Sequence, residues 1–300
     1  MGGANGFLSF TETFPDEKSC IKYLEMLRWK NGVVSPFDKT SKVYKCKNNK
    51  YRCKNTGKYF DAKTGTVFAN TKLPLRYWFY AMFLFLAHKR GISSCQLARD
   101  LGITQKTAWN MLHKIRSYMS VFNNGELSGE IEIDETFVGG KNKNRHSDKK
   151  VENSQGRSFK DKVPVFGMIQ RNGTMIAKVV SDTKSYTLEP HIKEHIEPGS
   201  VIYTDGWDYG VLSKSYIQRS VDHGSNFYGT TFVSDDGEII QISTNKIENA
   251  WSHLKRTIFG TYYKVSKKHM QRYVDEFVFR LNTRNCSDYE RFNLYLQNIA

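Results

Sequence analysis

Four acidic residues lie within six positions of the stretch GEIEIDETFVGG, in a chain whose formal net charge is +15. The alternation of acidic and apolar residues has the period of a β-strand, so we expect a strand over 130–138 with Asp134 near its end. Asp205 ends a later predicted strand, and Glu248 lies near the start of a predicted helix. Mg²⁺ prefers oxygen ligands such as these carboxylates. Two such ions promote in-line displacement at phosphorus, so the pattern indicates phosphoryl chemistry.

The same acids also have a structural interpretation. Acids are common at strand ends, Glu130 and Glu132 fit the solvated or capping side of a strand, and Asp205-Gly206 taken alone is a turn signal. The combination of three acids with the order of the elements around them is what favours a metal site.

The elements that position these acids predict a mixed α/β domain. The stretch VPVFGMIQRNGTMIAKVV predicts a hairpin that turns at Asn172-Gly173, a dipeptide suited to tight turns. Apolar residues recur at helical spacing from Ile247 to Ile258, which predicts a buried stripe. The expected elements are the hairpin 163–180, a helix over 188–195, a strand over 200–204, a helix from 245 and a helix over 267–283.

A helix-turn-helix pattern precedes this domain. Ser93 or Ser94 can cap a helix over 95–101, Gly102 supplies a turn, and Thr104 can cap a second helix that runs to about residue 119. DNA-binding motifs of this kind contact bases from the start of the second helix. The candidate DNA-contacting residues there are Gln105, Lys106, Thr107 and Asn110. The alternative is an ordinary αα-hairpin inside a helical domain.

The overall composition favours a polyanionic partner. The chain has 300 residues, with 45 Lys and Arg against 30 Asp and Glu and a sequence pI near 9.4; nucleic acid and an anionic membrane surface both fit that excess. The longest apolar run, 78–87, is about half the length of a membrane-spanning helix. Five scattered cysteines and the lack of a secretory signal pattern lead us to expect a reduced, cytoplasmic protein.

Several stretches resemble one known family. The motifs are IDETFVGGK, YTDGWDYG, TNKIENAWSHLKRTIFGTYYKVSKKHMQRYVDEFVFRLNTR, TGTVFANTKLPLRYWFYAMFLF and GISSCQLARDLGITQKTAW. They are similar to bacterial insertion-sequence transposases of the DDE type, in the branch that places a zinc ribbon and a helix-turn-helix before an RNase H-like catalytic domain. The resemblance extends from about residue 17 to residue 285.

The resemblance implies roles for individual residues. Asp134, Asp205 and Glu248 would form a metal-binding triad for Mg²⁺, with Mn²⁺ as a substitute, and Lys255 would contact substrate phosphate. Without the resemblance, Lys255 is better interpreted as a solvated helix lysine. Asn245 lies one turn before Glu248 and is the alternative third ligand, although a carboxylate is the better ligand for a hard cation. Trp251 is expected in the core.

The N-terminal region departs from the family pattern. Two CxxC pairs of the family are replaced here by VSPFD (34–38) and by CKNT (53–56), so Cys53 alone remains of four zinc ligands. A structural zinc site needs four ligands, so we expect no zinc. The ribbon shape is expected to persist, held by Tyr44, Tyr51, Tyr59 and Phe60.

These observations predict the following architecture. Residues 1–73 form the degenerate ribbon region, 74–124 the helix-turn-helix domain and 125–300 the RNase H-like catalytic domain, a mixed sheet flanked by helices. The segment 139–162 carries eight basic residues against three acids and is expected to be an exposed loop. The residues expected to hold DNA phosphates in the catalytic domain are Lys141, Lys143, Arg256, Lys267 and Lys268.

The resulting functional hypothesis is a nucleoid-associated bacterial transposase. It would bind the inverted repeats of its element, cut the strand at the element end and join the freed 3′-hydroxyl to target DNA. Joining two ends implies at least a dimer. Three alternatives are a derived DNA-binding protein that has lost cleavage, a metal-dependent nuclease without strand transfer, and, as the weakest, a membrane-surface protein.

Overall fold

A computed structural model of the chain describes residues 6–140, 146–152, 158–205, 215–221, 230–233 and 239–299. These residues divide into two compact units, one formed by 6–118 with 285–299 and the other by the described part of 119–284.

The described elements alternate between helical and sheet-forming stretches. The helices are α1 (Phe7–Thr13), α2 (Glu17–Arg28), α3 (Leu75–Ala87), α4 (Ser94–Leu101), α5 (Gln105–Ser117), α6 (Ser185–His195), α7 (Asn245–Thr257), α8 (Met270–Asn282) and α9 (Asp288–Ile299). The strands are β1 (Val43–Lys45), β2 (Tyr51–Cys53), β3 (Tyr59–Phe60), β4 (Glu130–Val138), β5 (Val163–Gln170), β6 (Met175–Val179), β7 (Val201–Asp205), β8 (Ile217–Val221), β9 (Thr230–Val233) and β10 (Ile239–Ile242). No helix in the described ranges is long and apolar enough to cross a membrane.

The first unit packs helices around aromatic side chains. Helix α3 is apolar on most of its circumference, which is typical of a buried helix. Phe10 stacks on Phe83 with ring centroids 4.1 Å apart, and Phe292 meets Phe10 edge to face at 5.0 Å. A separate small antiparallel sheet has the order β1-β2-β3.

The C-terminal segment differs from its sequence-based assignment to the catalytic domain. Helix α9 packs against α3 in the first unit. Tyr295 is fully buried there, and its hydroxyl donates to the carbonyl of Ile115 at 2.7 Å. Arg291 donates to the carbonyl of Leu86 at 3.0 Å. The other boundary falls after Tyr118 rather than after residue 124.

The second unit contains a five-stranded mixed sheet of order β6-β5-β4-β7-β8. β4, β5 and β6 pair antiparallel, whereas β7 runs parallel to both β4 and β8. Asn172 adopts a left-handed φ of 63° between β5 and β6, as the predicted hairpin requires. β9 and β10 form a separate antiparallel pair. The expected mixed α/β sheet is confirmed.

Helices cover both faces of this sheet. Side chains of α7 and α8 pack on one face with Val163 and Val165 of β5. Leu188 and Ile192 of α6 pack on the opposite face with Ile131 of β4. Because side chains alternate along a strand, Ile131 and Ile133 face α6, whereas Glu132 and Asp134 face α7.

Gly167 marks the closest approach of α7 to the sheet. It lies in β5 opposite Asp134, and a Cβ built on it would overlap the indole ring of Trp251. We expect Gly167→Ala to lower the free energy of unfolding by roughly 1 to 3 kcal/mol, because overpacking a core forces its neighbours to move. Urea denaturation would measure the change. Gly260→Ala is the control, since a Cβ there meets nothing within 4 Å. Equal unfolding midpoints for the two variants would contradict this account.

Candidate active site

The register of two parallel strands brings Asp134 and Asp205 to the same edge of the sheet. Glu132 of β4 pairs with Tyr203 of β7, an offset of 203 − 132 = 71 residues. This is the last pair of the β4–β7 ladder, and Asp134 and Asp205 each follow two residues later on their own strands. The charge of Asp205 acts on Asp134, so the two carboxylates share one electrostatic neighbourhood.

Helix α7 adds Glu248 to these two acids. Its apolar stripe includes Ile247, Trp251 and Leu254, which are buried against the sheet. Glu248 is exposed and its carboxylate accepts from the hydroxyl of Thr244 at 3.0 Å. The charges of Glu248 and Asp205 both act on Asp134. The structure therefore places Asp205 and Glu248 within electrostatic reach of Asp134.

Asp134 is held in a largely desolvated environment. Burial raises the pKa of Asp134 to about 7, and the charges of Glu135, Asp205 and Glu248 act in the same direction, whereas a hydrogen bond from the backbone of Glu135 opposes them. The indole N–H of Trp251 donates to the Asp134 carboxylate at 3.1 Å. Trp251 is buried, as its helical spacing indicated, and it also orients Asp134.

Lys255 lies in the same electrostatic neighbourhood. Burial lowers the pKa of its half-buried ammonium group, and the Asp134 carboxylate opposes that shift. Lys255 and Glu248 thus approach Asp134 from one helix, as their seven-residue spacing allows.

Glu132 corrects the interpretation of the acidic strand. The sequence placed it on the solvated or capping side of the strand; its side chain is fully buried rather than solvated, but it does cap a helix. Its carboxylate accepts from the backbone N–H of Lys246 at 2.9 Å and of Ile247 at 3.1 Å, at the start of α7. Arg171 donates to the other carboxylate oxygen at 3.1 Å. The start of α7, 114 residues further along the chain, covers this face of β4. The periodicity of the strand does not indicate that a helix covers it.

The donor set around Asp134 fits a hard divalent cation. Asp134, Asp205 and Glu248 offer carboxylate oxygens, the ligands that Mg²⁺ prefers. A cation would also offset the repulsion that contributes to the raised pKa of Asp134. As placed, no group of three or more His, Cys, Asp or Glu side chains in the described ranges is arranged to hold a metal ion. In this arrangement Asp134 accepts from Trp251 and Glu248 accepts from Thr244.

The basic residues expected near the site have different environments. Arg256 and Lys268 are exposed. The ammonium of Lys267 donates to the carbonyls of Phe159 at 3.0 Å and Lys160 at 3.5 Å, so it also holds the segment before β5. Lys141 and Lys143 lie outside the described residues.

A cleft of about 750 Å³ lies beyond the end of α7. Its lining residues are Val138, Gly139, Gly140, His146, Asp161, Val163, Ile258, Phe259, Tyr263, Lys264, Val265, Lys267 and Met270.

Two helices lie where the sequence predicted them in the first unit. Ser93 caps α4 by accepting from the backbone of Gln96, Thr104 caps α5 by accepting from Thr107, and Gly102 adopts a left-handed φ of 63° between them. The four candidate DNA-contacting residues lie in the first turns of α5. Lys106 and Asn110 are exposed.

The other two candidates on α5 also have structural contacts. Gln105 donates to the hydroxyl of Ser94 at 2.8 Å. The hydroxyl of Thr107 lies 2.8 Å from that of Thr104.

The ribbon region keeps a packed core on one face of its sheet. Tyr51 and Phe60 are buried with their rings 5.7 Å apart, and Trp29 packs edge to face on Tyr51. Tyr44 and Tyr59, which the sequence expected to hold the ribbon, are exposed instead. They share the opposite face because Tyr44 pairs with Arg52, and Arg52 with Tyr59.

Hydroxyl groups surround Cys53, the one cysteine that the resemblance aligns with a zinc-ligand position. Burial raises the pKa of the Cys53 thiol, but hydrogen bonds with Ser35, Ser41 and Thr56 outweigh it and bring the pKa to about 6. Ser35 and Thr56 stand at two of the three positions where the resemblance implies that a zinc-binding cysteine has been replaced. The third, Asp38, instead accepts from Asn55 at 2.8 Å and from Thr40.

The family follows from a match that covers this site. Residues 126–282 match the family model of the ISXO2-like transposase domain. The chain belongs to this family of insertion-sequence transposases. The matched segment extends from before β4 to the end of α8 and includes Asp134, Asp205, Glu248 and Lys255. The resemblance found in the sequence is therefore confirmed.

Relatives in two organisms share this similarity. An uncharacterised protein in transposable element ISH50 of Halobacterium salinarum is 26% identical over 286 residues, covering 90% of this chain and 92% of that protein. An uncharacterised transposase-like protein of Haemophilus influenzae is 32% identical over 107 residues, or 35% of this chain and 77% of its own. Among solved structures, the Mos1 strand transfer complex is similar with a TM-score of 0.30 at 10% identity, over 77% of this chain and 79% of that one.

The raised pKa of Asp134 predicts a pH-dependent stability. Because its folded pKa of about 7 exceeds the ordinary value of 3.8, the stabilising contribution of protonated Asp134 is complete below about pH 4 and is lost as the pH rises to about 7. In chelator, Asp134→Asn should therefore raise the free energy of unfolding at pH 8 by roughly 2 to 4 kcal/mol. The gain should shrink as the pH falls to 5, which denaturant titrations at both pH values would measure.

Asp182→Asn is the control of opposite sign. Hydrogen bonds from Thr187 and Lys184 lower the pKa of the Asp182 carboxylate, so this group stabilises the folded state above its ordinary pKa of 3.8. That variant should lose stability at pH 8. A gain for Asp134→Asn that is the same at both pH values would contradict the raised pKa.

Proposed function

We propose that this transposase binds the ends of its element, cuts a DNA strand there and joins the 3′-hydroxyl to target DNA in a reaction that depends on a divalent metal. The observation that carries the proposal is the convergence of Asp205, Glu248 and Lys255 on the desolvated carboxyl of Asp134. This convergence lies inside the segment that matches the transposase domain. The mixed sheet with helices on both faces supports an RNase H-like architecture for that segment.

Each of these residues has a part in the proposed reaction. Asp134, Asp205 and Glu248 would hold Mg²⁺, or Mn²⁺ in its place, and the bound metal would supply activation of the attacking oxygen and stabilisation of the leaving oxygen. Trp251 keeps the Asp134 carboxylate in one orientation through its N–H. The Lys255 ammonium is suited to a substrate phosphate, because the same helix directs it toward Asp134.

DNA binding is proposed for several surfaces. In the first unit, α4 and α5 act as a helix-turn-helix whose second helix contacts the element end through Gln105, Lys106, Thr107 and Asn110. In the second unit, Arg256, Lys267 and Lys268, with Lys141 and Lys143, hold phosphates. Joining two ends needs at least a homodimer.

The alternative is a DNA-binding protein that has lost cleavage. Its only support is the loss of the family's zinc ligands at Ser35, Asp38 and Thr56. Against it stands the presence of Asp205 and Glu248 near Asp134, whose environment raises its pKa to about 7. Binding alone requires none of that arrangement.

Substitution of the acids tests the catalytic proposal. Asp134→Asn and Glu248→Gln should each reduce metal-dependent strand transfer of a labelled element-end duplex into plasmid DNA by at least about 100-fold, because each removes a charged metal ligand. Asn245→Ala should retain activity within about threefold if Glu248 is the third ligand. End binding, measured in chelator, should change little in all three variants.

Glu194→Gln is the matched control for these substitutions. It removes an exposed carboxylate from α6, which lies on the opposite face of the sheet. If Glu248→Gln keeps wild-type activity and Asn245→Ala is inactive, then Asn245 rather than Glu248 is the third metal ligand. A wild-type protein that binds the end but never cuts or joins it with Mg²⁺ or Mn²⁺ would favour the DNA-binding alternative.

Substitutions on α5 test end recognition separately. Lys106→Ala should weaken binding of the element end and lower the slope of log affinity against log salt by about 1, because one phosphate contact is lost. Asn110→Ala should weaken binding by roughly 1 to 3 kcal/mol for the specific end and less for random DNA, if it contacts a base. Fluorescence anisotropy at several salt concentrations would measure both. Lys18→Ala, an exposed charge on α2, is the control. If Lys18→Ala and Lys106→Ala weaken DNA binding equally, α5 is not part of the DNA interface.

A further inference from the structure

The first turn of α7 is capped by a side chain from a distant strand. Its own N-cap residue, Thr244, makes no side-chain capping bond, because the hydroxyl donates to Glu248. Glu132 takes that place by accepting from the N–H groups of Lys246 and Ile247. A carboxylate there satisfies two orphan donors and complements the positive end of the helix dipole. Other helices of this chain, α2, α4 and α5, are capped by the residue that directly precedes them.

Arg171 extends this contact to two further elements. Its Nε donates to Glu132 at 3.1 Å, and another guanidinium nitrogen donates to the carbonyl of Ser243 at 3.0 Å, just before α7. The guanidinium lies 3.8 Å from the ring centroid of Tyr203 in β7. A planar guanidinium can make these three contacts at once, whereas an ammonium cannot.

We infer that the pair of Glu132 and Arg171 is a positioning device for the active site. It joins β4, which carries Asp134, to β7, which carries Asp205, and to the start of α7, which carries Glu248. Glu132 and Tyr203 each precede the acid of their own strand by two residues. The inference rests on the proposed function, because it assigns the pair a purpose in the cleavage step.

The chemistry of the pair favours positioning over stability alone. Well-packed apolar residues can replace a buried ion pair without loss of stability, so a fold has little need of one in its core. A buried pair does fix orientation, because each charge requires its partner in one geometry. Displacement of a catalytic group by about 1 Å can cost on the order of 100-fold in rate. The pair is placed where such a displacement would matter, between the three acids.

Glu132→Gln tests the inference with little change in shape. Glutamine presents one oxygen and one NH₂ group where the carboxylate accepts on both sides, so it cannot satisfy Arg171 and the helix together. We expect the single-turnover cleavage rate at saturating DNA to fall at least about 20-fold. The dissociation constant for the element end should stay within about twofold, because no residue assigned to end recognition is altered.

Hydrogen exchange gives a readout that is independent of activity. The amides of Lys246 and Ile247 should exchange at least about tenfold faster in Glu132→Gln, whereas amides in the middle of α8 should keep their protection. Arg171→Lys is the second variant, which retains the charge and should give a smaller change in the same direction. Glu130→Gln is the matched control: Glu130 is on the same strand, lies 3.5 Å from Arg171 and accepts from the hydroxyl of Tyr203, but in the described part of the chain it has no hydrogen bond to α7.

The outcomes separate this inference from the proposed function. Wild-type cleavage and wild-type protection of Lys246 and Ile247 in both Glu132→Gln and Arg171→Lys would overturn the positioning role. Loss of protection throughout α8, or an equal loss of rate in Glu130→Gln, would also overturn it. If the wild-type protein itself does not cleave, the proposed function fails, and the exchange of the two amides still decides whether Glu132 holds the helix.

Discussion

The burial of the Asp134 carboxyl, with other carboxylates near it, is the constraint on which the second unit depends. Folding removes Asp134 from water and places Asp205 and Glu248 near it, so its pKa rises to about 7. Ionisation of this group therefore works against folding at neutral pH. The N–H of Trp251 and the charge of Lys255 oppose that cost locally. The apolar clusters on both faces of the sheet offset the remainder. Such destabilisation is expected at sites arranged for function rather than for stability.

One helix connects the core to the site. The apolar stripe of α7 packs on the sheet, and the same stripe supplies the indole that holds Asp134. Gly167 allows this contact because any larger residue would occupy the space of the indole. Glu132 fixes the start of the helix, and Glu248 lies one turn further along. A site built on rigid, anchored elements holds its groups more precisely than one built on loops.

Periodicity and turn chemistry predicted most of the second unit. The strand over 130–138 has the bounds expected of it, and the turn at Asn172 follows from local residue preferences. Contacts between residues that are far apart in the chain could not be predicted from the sequence. An alternating strand has the same pattern whether its polar face meets water or, as for Glu132, a helix more than 100 residues later. The apolar stripe of α9 likewise does not specify which helix it packs against. Whether Tyr44 and Tyr59 are exposed depends on the register of their strands.

The two metal positions implied by the family resemblance obey different physical requirements. A small sheet does not require a metal where other contacts hold it, and here the rings of Tyr51 and Phe60 pack together and hydrogen bonds surround Cys53. Packing contacts cannot take the place of a catalytic metal, since a metal-dependent phosphoryl transfer uses the cation at the reacting oxygens. A protein that only bound DNA would gain stability at neutral pH by exchanging Asp134 for an uncharged residue of the same shape. The chain carries that carboxylate together with Asp205, Glu248 and Lys255 and holds it in place with Trp251, which favours an enzyme over a binding protein derived from one.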